Sequence, residues 1–186
     1  MGIITQNSEI KKGSDAIQID TGGTTGLKIN SSGIFFQPNR PYFMAQGSGD
    51  WTLYSAGGWT TLALGSVIQN NSGSYNSSTG KFTAPVSGYY YFVASTYTHK
   101  WNATNQDSYT HPIFRVNGSY TLRQASAANP YRLRSRTYYG GGYTSDTEIN
   151  DILYLQAGDM VEYHIYASGA MAYYPPYSIF CGALIG

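Results

Sequence analysis

The chain has one cysteine, Cys181, in 186 residues, so no intramolecular disulfide staples it. Charge is scarce: Asp, Glu, Lys and Arg make up 11% of the sequence, against about 25% in an average soluble domain. The net charge of +1 gives no general attraction to nucleic acid or to an anionic membrane surface. No apolar run approaches the ~20 residues that a spanning helix needs, so membrane insertion is not expected. No window shows the sustained 3.6-residue apolar period of a helix. The opening residues, Met1 to Gln6, lack the basic start and apolar stretch of a secretory signal, and none is expected.

What is abundant points one way. Tyr occurs 19 times, aromatics make up 16% of the chain, and there are 22 Gly. Tyr, Thr, Val, Ile and Phe favour strands. Punctuation such as Asn70-Asn71-Ser72-Gly73, Asn117-Gly118 and Gly140-Gly141-Gly142 recurs. Short strands with frequent turns predict an all-β sandwich or barrel. A chain of this size buries enough surface to hold a core without staples.

Residues 1–38 read differently from residues 39–186. Ala16 to Gly23 is echoed by Gly26 to Gly33, each a short alternating strand closed by Asp or Asn and then Gly. Two such units cannot bury a core alone. This arm is therefore expected to pack on the body, on a partner chain, or on itself across an oligomer. In the body, Tyr89 to Thr98 is a long strand, and Ser178 to Ile185 is apolar on both faces, as a central or interface strand would be. Met171 to Tyr177 is expected to be a loop.

The most specific stretch combines Asn70, Tyr75, Phe82, Gly88, Tyr90 and Phe92 at fixed spacing. Asn and Gly turn the chain, and Tyr90 and Phe92 alternate toward one face. The order resembles the signature of the complement C1q globular head. Leu64 and Ala94 stand where that signature has aromatics, and both remain apolar. Arg40 to Ala45 resembles the family's opening strand. Ile152 to Val161, with Gly158-Asp159, resembles its strand, turn and next strand. Ile179 to Leu184, with Phe180 and Gly182, is similar to its closing strand.

The resemblance implies a ten-stranded jelly-roll sandwich, shared with tumour necrosis factor, that assembles as a homotrimer. The arm, from Leu27 to Phe36 and on to Arg40-Pro41-Tyr42-Phe43, resembles the segment that precedes C1q-like heads in bacteriophage tail fibres. A virion structural protein is then expected, released by lysis, whose head attaches to the host cell surface and whose arm docks on another virion protein or forms a trimer shaft. A capsid decoration or short head fibre, anchored by the arm, is an alternative; a polysaccharide-degrading tip is another.

Binding residues sit disproportionately on loops. Trp101, Asn102, Tyr138, Tyr139, Tyr143, Tyr173 and Tyr174 are the candidates for a host glycan, since sugar rings stack on aromatic planes; the same tyrosines would also suit the trimer interface. Hydrolase and phosphate-loop motifs are missing, and no catalytic residue, cofactor or metal is expected. Asp146, Glu148 and Asp151 form an acidic cluster whose spacing matches no calcium loop. Arg132, Arg134 and Arg136 alternate onto one face and read as partnered or interface residues.

Overall fold

The computed structural model describes residues 8–12, 17–21, 24–54, 57–100, 109–120 and 144–186, which hold strands and no helix. The chain divides into two compact units, Met1–Arg40 and Pro41–Gly186. The first is an antiparallel sheet of β1 (Ser8–Lys12), β2 (Ile17–Thr21), β3 (Thr24–Ile29) and β4 (Phe35–Phe36), in chain order. Ile17 pairs with Ile29 and Ile19 with Leu27. Asn30 closes the last hairpin: its Oδ1 accepts from the Ser32 and Ile34 amides at 3.0 and 2.9 Å, while Gly33 takes φ 77°.

The second unit contains β5 (Tyr42–Gln46), β6 (Thr52–Leu53), β7 (Gly58–Thr61), β8 (Ser66–Asn71), β9 (Tyr75–Asn76) and β10 (Lys81–Thr83). These are followed by β11 (Gly88–Lys100), β12 (Thr110–Val116), β13 (Ser119–Tyr120), β14 (Thr144–Leu155), β15 (Met160–Ala167) and β16 (Met171–Leu184). One sheet runs β14-β11-β16-β5-β8, with β6 also on β16; the other runs β13-β12-β15-β10-β9. The two antiparallel sheets pack face to face as the all-β sandwich expected. The described residues of this unit form twelve strand segments, not the ten expected; β6, β9 and β13 are two residues long and extend neighbouring ladders rather than adding a layer.

Aromatic side chains fill the space between the sheets. Phe43 stacks on Tyr75 at 4.8 Å and on Phe82 at 5.0 Å, and meets Phe180 edge-on at 4.8 Å. Phe92 bridges Phe82, Phe114 and Phe180 at 5.4 to 6.0 Å. Leu64 and Ala94 are buried in the same core. Rings this dense need a gap in the opposing strand. A Cβ on Gly182 would lie 2.5 Å from Phe92 and 2.9 Å from Phe43.

The remaining signature residues hold turns. Asn70 grips the Tyr75 backbone, donating to its carbonyl at 2.8 Å and accepting from its amide at 3.0 Å. The Tyr75 hydroxyl donates to the Leu64 carbonyl and accepts from the Leu64 amide, both at 3.1 Å. Asp159 accepts from the Gln156 amide at 2.8 Å and from Asn117 Nδ2 at 2.8 Å. These donors hold its carboxyl below the usual range, and Gly158 supplies the φ of 92° that the turn requires.

Candidate functional site

Alternation along β11 sends Tyr90, Phe92, Ala94, Thr96 and Thr98 into the core. Its other residues, from Tyr89 to His99, face outward. Strand registers align this outer face into rows. Tyr154 stands opposite Tyr89; the next rows are Ile152–Tyr91–Ala183–Tyr42 and Asn150–Val93–Cys181–Met44. These rows carry no charge. Tyr89, Ile152 and Tyr154 are each more than half exposed, and Tyr42 and Tyr91 about 40%. Single exposed apolar residues are ordinary; a contiguous patch of this kind marks a contact surface. Cys181 sits within it, half-buried, and burial raises its thiol pKa.

Further along the strands the face changes. The next rows are Glu148–Ser95–Ile179–Gln46 and Asp146–Tyr97–Tyr174. Here β16 bulges: Ser95 pairs with Ile179 but Tyr97 with Tyr174, so four residues, 175–178, oppose the single Thr96. A regular ladder has one, and the surplus leaves the sheet. The bulge is held by Gln46 Nε2 donating to the Pro176 carbonyl and by the Gly47 amide donating to Ser178 at 3.0 Å. Any Cβ on Gly47 would overlap Pro175.

The bulge builds an aromatic shelf. Trp51 lies 5.1 Å from Tyr174, 5.4 Å from His99 and 6.0 Å from Tyr97. Tyr177, 65% exposed, meets Tyr174 at 5.0 Å and Tyr97 at 5.6 Å, both edge-on. Trp51 is set by its amide donating to Asp50 Oδ1 at 2.7 Å and by β6 pairing with β16 just beyond it. Beneath the shelf the core turns to hydroxyls. Thr96 bonds Tyr163 at 2.8 Å, and Thr98 bonds Tyr54 at 3.2 Å. Burial keeps the Tyr163 phenol far above its ordinary pKa.

The outer face of the other sheet is polar. Arg115, Glu162 and Lys81 stand in one row across β12, β15 and β10. Glu162 Oε1 lies 3.7 Å from Lys81 Nζ and 3.7 Å from His164 Nε2. His164 Nε2 also contacts Thr61 Oγ1 at 3.2 Å, and its Nδ1 is buried with no hydrogen-bond partner. Burial, helped by Arg115, lowers the His164 pKa against the pull of Glu162.

Of the candidate glycan residues, Trp101, Asn102, Tyr138, Tyr139 and Tyr143 lie outside the described residues, as do Arg132, Arg134 and Arg136. Tyr173 and Tyr174 are described, and alternation separates them. Tyr173 turns inward and stacks on Tyr54 at 5.0 Å, whereas Tyr174 belongs to the shelf. The segment 171–177, expected as a loop, is the first half of β16 and its bulge; pairing with β6 and β11 overrides its two prolines. The acidic trio divides by the same alternation. Asp146 and Glu148 face outward, exposed, while Asp151 is buried and its Oδ1 accepts from the Ile152 amide at 2.9 Å. Among the described residues no three His, Cys, Asp or Glu converge as metal ligands, and no helix is long and apolar enough to cross a membrane. Sequence reasoning missed Trp51, Tyr97 and His99, and held Tyr177 only as the end of the 171–177 candidate loop; the signal available was Pro175-Pro176 in a strand-like run, since proline inside a sheet belongs at bulges.

No curated protein sequence matches the chain. Among solved structures, the globular domain of zebrafish complement 1qA superposes with a TM-score of 0.55 at 16% identity, covering 79% of this chain and 98% of that one. The Eiger tumour necrosis factor from S. frugiperda superposes with a TM-score of 0.53 at 13% identity, over 79% and 94%. At such identities the likeness is one of fold. Over residues 43–185, however, the sequence itself matches the C1q domain, and the chain belongs to the C1q domain family.

Proposed function

We propose that the protein is the homotrimeric head of a bacteriophage fibre or spike, attaching the particle to a glycan on the host cell surface and docking on another virion protein through its arm. The observation that carries the trimer is the charge-free outer face formed by Tyr89, Tyr154, Tyr91, Ile152, Ala183 and Tyr42. Three copies facing a common axis bury that face, and C1q-like and tumour necrosis factor-like domains assemble in this way. The arm's likeness to the segment before fibre heads supports the virion setting. The aromatic shelf on the same sheet, with Tyr177 exposed and its other rings partly so, supports the adhesive role, because sugar rings stack on such planes.

The capsid-decoration reading keeps the same trimer and gives the arm the gripping role; its support is that residues 1–40 form a compact unit of their own. Electron microscopy of intact particles, with antibody to the head, tests both. Label at the tail tip is the expected result. Label over the shell favours decoration, and label nowhere on the particle removes the virion reading altogether.

A further inference from the structure

We propose that the shelf of Trp51, Tyr97, Tyr174 and Tyr177 is the site that binds the glycan, and that it selects uncharged pyranose rings over acidic ones. This rests on the adhesive reading above and narrows it to one surface and one ligand class.

Three observations carry the assignment. The first is the bulge. Four residues opposite one, in an interior strand of the sheet, lift Tyr177 to 65% exposure, and bulges re-aim side chains in this way next to functional sites. Pro175 and Ser178 of the bulge are buried, which leaves Tyr177 as its outward ring, while Phe180 continues the core beyond it.

The second is the spacing of the rings. Neighbouring centroids lie 5.0 to 6.0 Å apart. The rings therefore touch one another and leave no space in which a cation or methylammonium group could be enclosed. They are inclined to one another by 39 to 82°, so a pyranose stacks its apolar face on one ring, with its C–H bonds against it, while the neighbouring ring edges border it.

The third is the charge beside the shelf. Asp146 is the strand partner of Tyr97 and Glu148 the partner of Ser95, both exposed on the outer face. Carboxylates at the margin of a site disfavour a ligand that carries its own, so uronic and sialic acids bind less well than neutral rings. Neutral sugars meet two acceptors for their hydroxyls. In a trimer built on the apolar rows, three shelves lie at corresponding positions of one particle, so a repeating polysaccharide engages more than one of them and gains avidity without new contacts.

The test uses the full chain on an array of neutral, N-acetylated and acidic oligosaccharides, followed by titration of the strongest hit. Neutral or N-acetylated glycans are expected to be retained and acidic ones not. Trp51→Ala and Tyr177→Ala are each expected to weaken the titrated glycan about tenfold or more, as aromatic anchors do. Trp51→Phe should retain most of the affinity. Asp146→Lys with Glu148→Lys should admit acidic glycans. The assignment is overturned by retention of acidic glycans alone, by no retention of any glycan, or by affinity that survives both alanine variants. It is also overturned if Tyr177→Ala separates the subunits in light scattering, because the shelf is then a subunit contact. Adsorption of particles to cells, and its competition by the free head, is read in parallel. If adsorption is competed while the shelf variants bind as tightly as the parent, the attachment reading stands and the site is elsewhere.

Discussion

The two sheets of the body share one aromatic core yet carry opposite outer faces. On the six-stranded sheet, the rows from Tyr154 to Met44 hold no charged side chain. On the other sheet the corresponding position is a line of Arg115, Glu162 and Lys81, with His164 beside it. Both faces are built by the same two-residue alternation, so architecture does not distinguish them. Composition does: one face carries a line of ion-pairing side chains, and the other carries uncharged aromatic and aliphatic ones, several of them more than half exposed. The apolar face is itself divided at the β16 bulge. Phenylalanines lie beneath its flat half, and threonine and tyrosine hydroxyls lie beneath the half that bears the shelf.

The largest expected effect comes from placing charge on the uncharged face. Tyr91→Asp with Ile152→Asp puts two carboxylates on residues that oppose each other across β11 and β14. In a trimer this brings six carboxylates to the buried face, and like charges there cost several kcal/mol. Light scattering is expected to fall to the 20.4 kDa of a single chain, with the β circular dichroism retained. The equivalent change on the charged sheet, Lys81→Asp, should leave the mass unaltered. If both variants remain trimeric, the contrast between the two faces has no bearing on assembly.

Gly182→Ala comes next, and it tests what keeps the flat half in register. The added methyl would sit 2.5 Å from the Phe92 ring, where overpacking costs about 1–3 kcal/mol. Chemical denaturation should show a lower midpoint with an unchanged slope. An unchanged midpoint would mean that the rings yield freely, and that the glycine is not required by the packing.

The charged face, unlike the apolar one, should respond to pH. His164 is buried, so its folded pKa lies below the ordinary 6.5. The unfolded chain then binds the proton more readily than the folded one, and stability rises with pH wherever that holds. The contribution is complete above pH 6.5 and is lost as pH falls below it toward the depressed folded value. Arg115 and Lys81 reinforce the shift and Glu162 opposes it. Unfolding midpoints at pH 7.5 and 5.5 should therefore differ, with the acid sample less stable, and His164→Gln should flatten the difference. A slope that survives the substitution assigns the dependence to other groups.

How much of this was legible beforehand follows from how local each feature is. Asn70, Tyr75, Phe82, Gly88, Tyr90 and Phe92 could be read because turn chemistry and alternation act over a few residues, and their spacing survives even with Leu64 and Ala94 in aromatic positions. Tyr173 and Tyr174 were grouped although a period of two puts neighbours on opposite faces; the same parity separates Asp151 from Asp146 and Glu148. The shelf was out of reach. Its rings come from residues 51, 97, 174 and 177, which only the pairing of β6, β11 and β16 brings together, and Pro175-Pro176 reads as a loop until a strand is found on either side of it.

The smallest expected effect on the fold is the most informative about the shelf. Tyr177 is 65% exposed and its ring contacts are to Tyr97 and Tyr174 at the surface. Tyr177→Ala should therefore change unfolding free energy by less than about 0.5 kcal/mol, as surface substitutions do. A bulge retained only to fill space would lose more than this when its largest side chain is removed. One that exists to hold a ring outward loses almost nothing in stability, so a near-zero change in unfolding together with a loss of glycan affinity separates the second case from the first. A drop of 2 kcal/mol or more would instead make Tyr177 part of the packing and return the bulge to the structural half of the face.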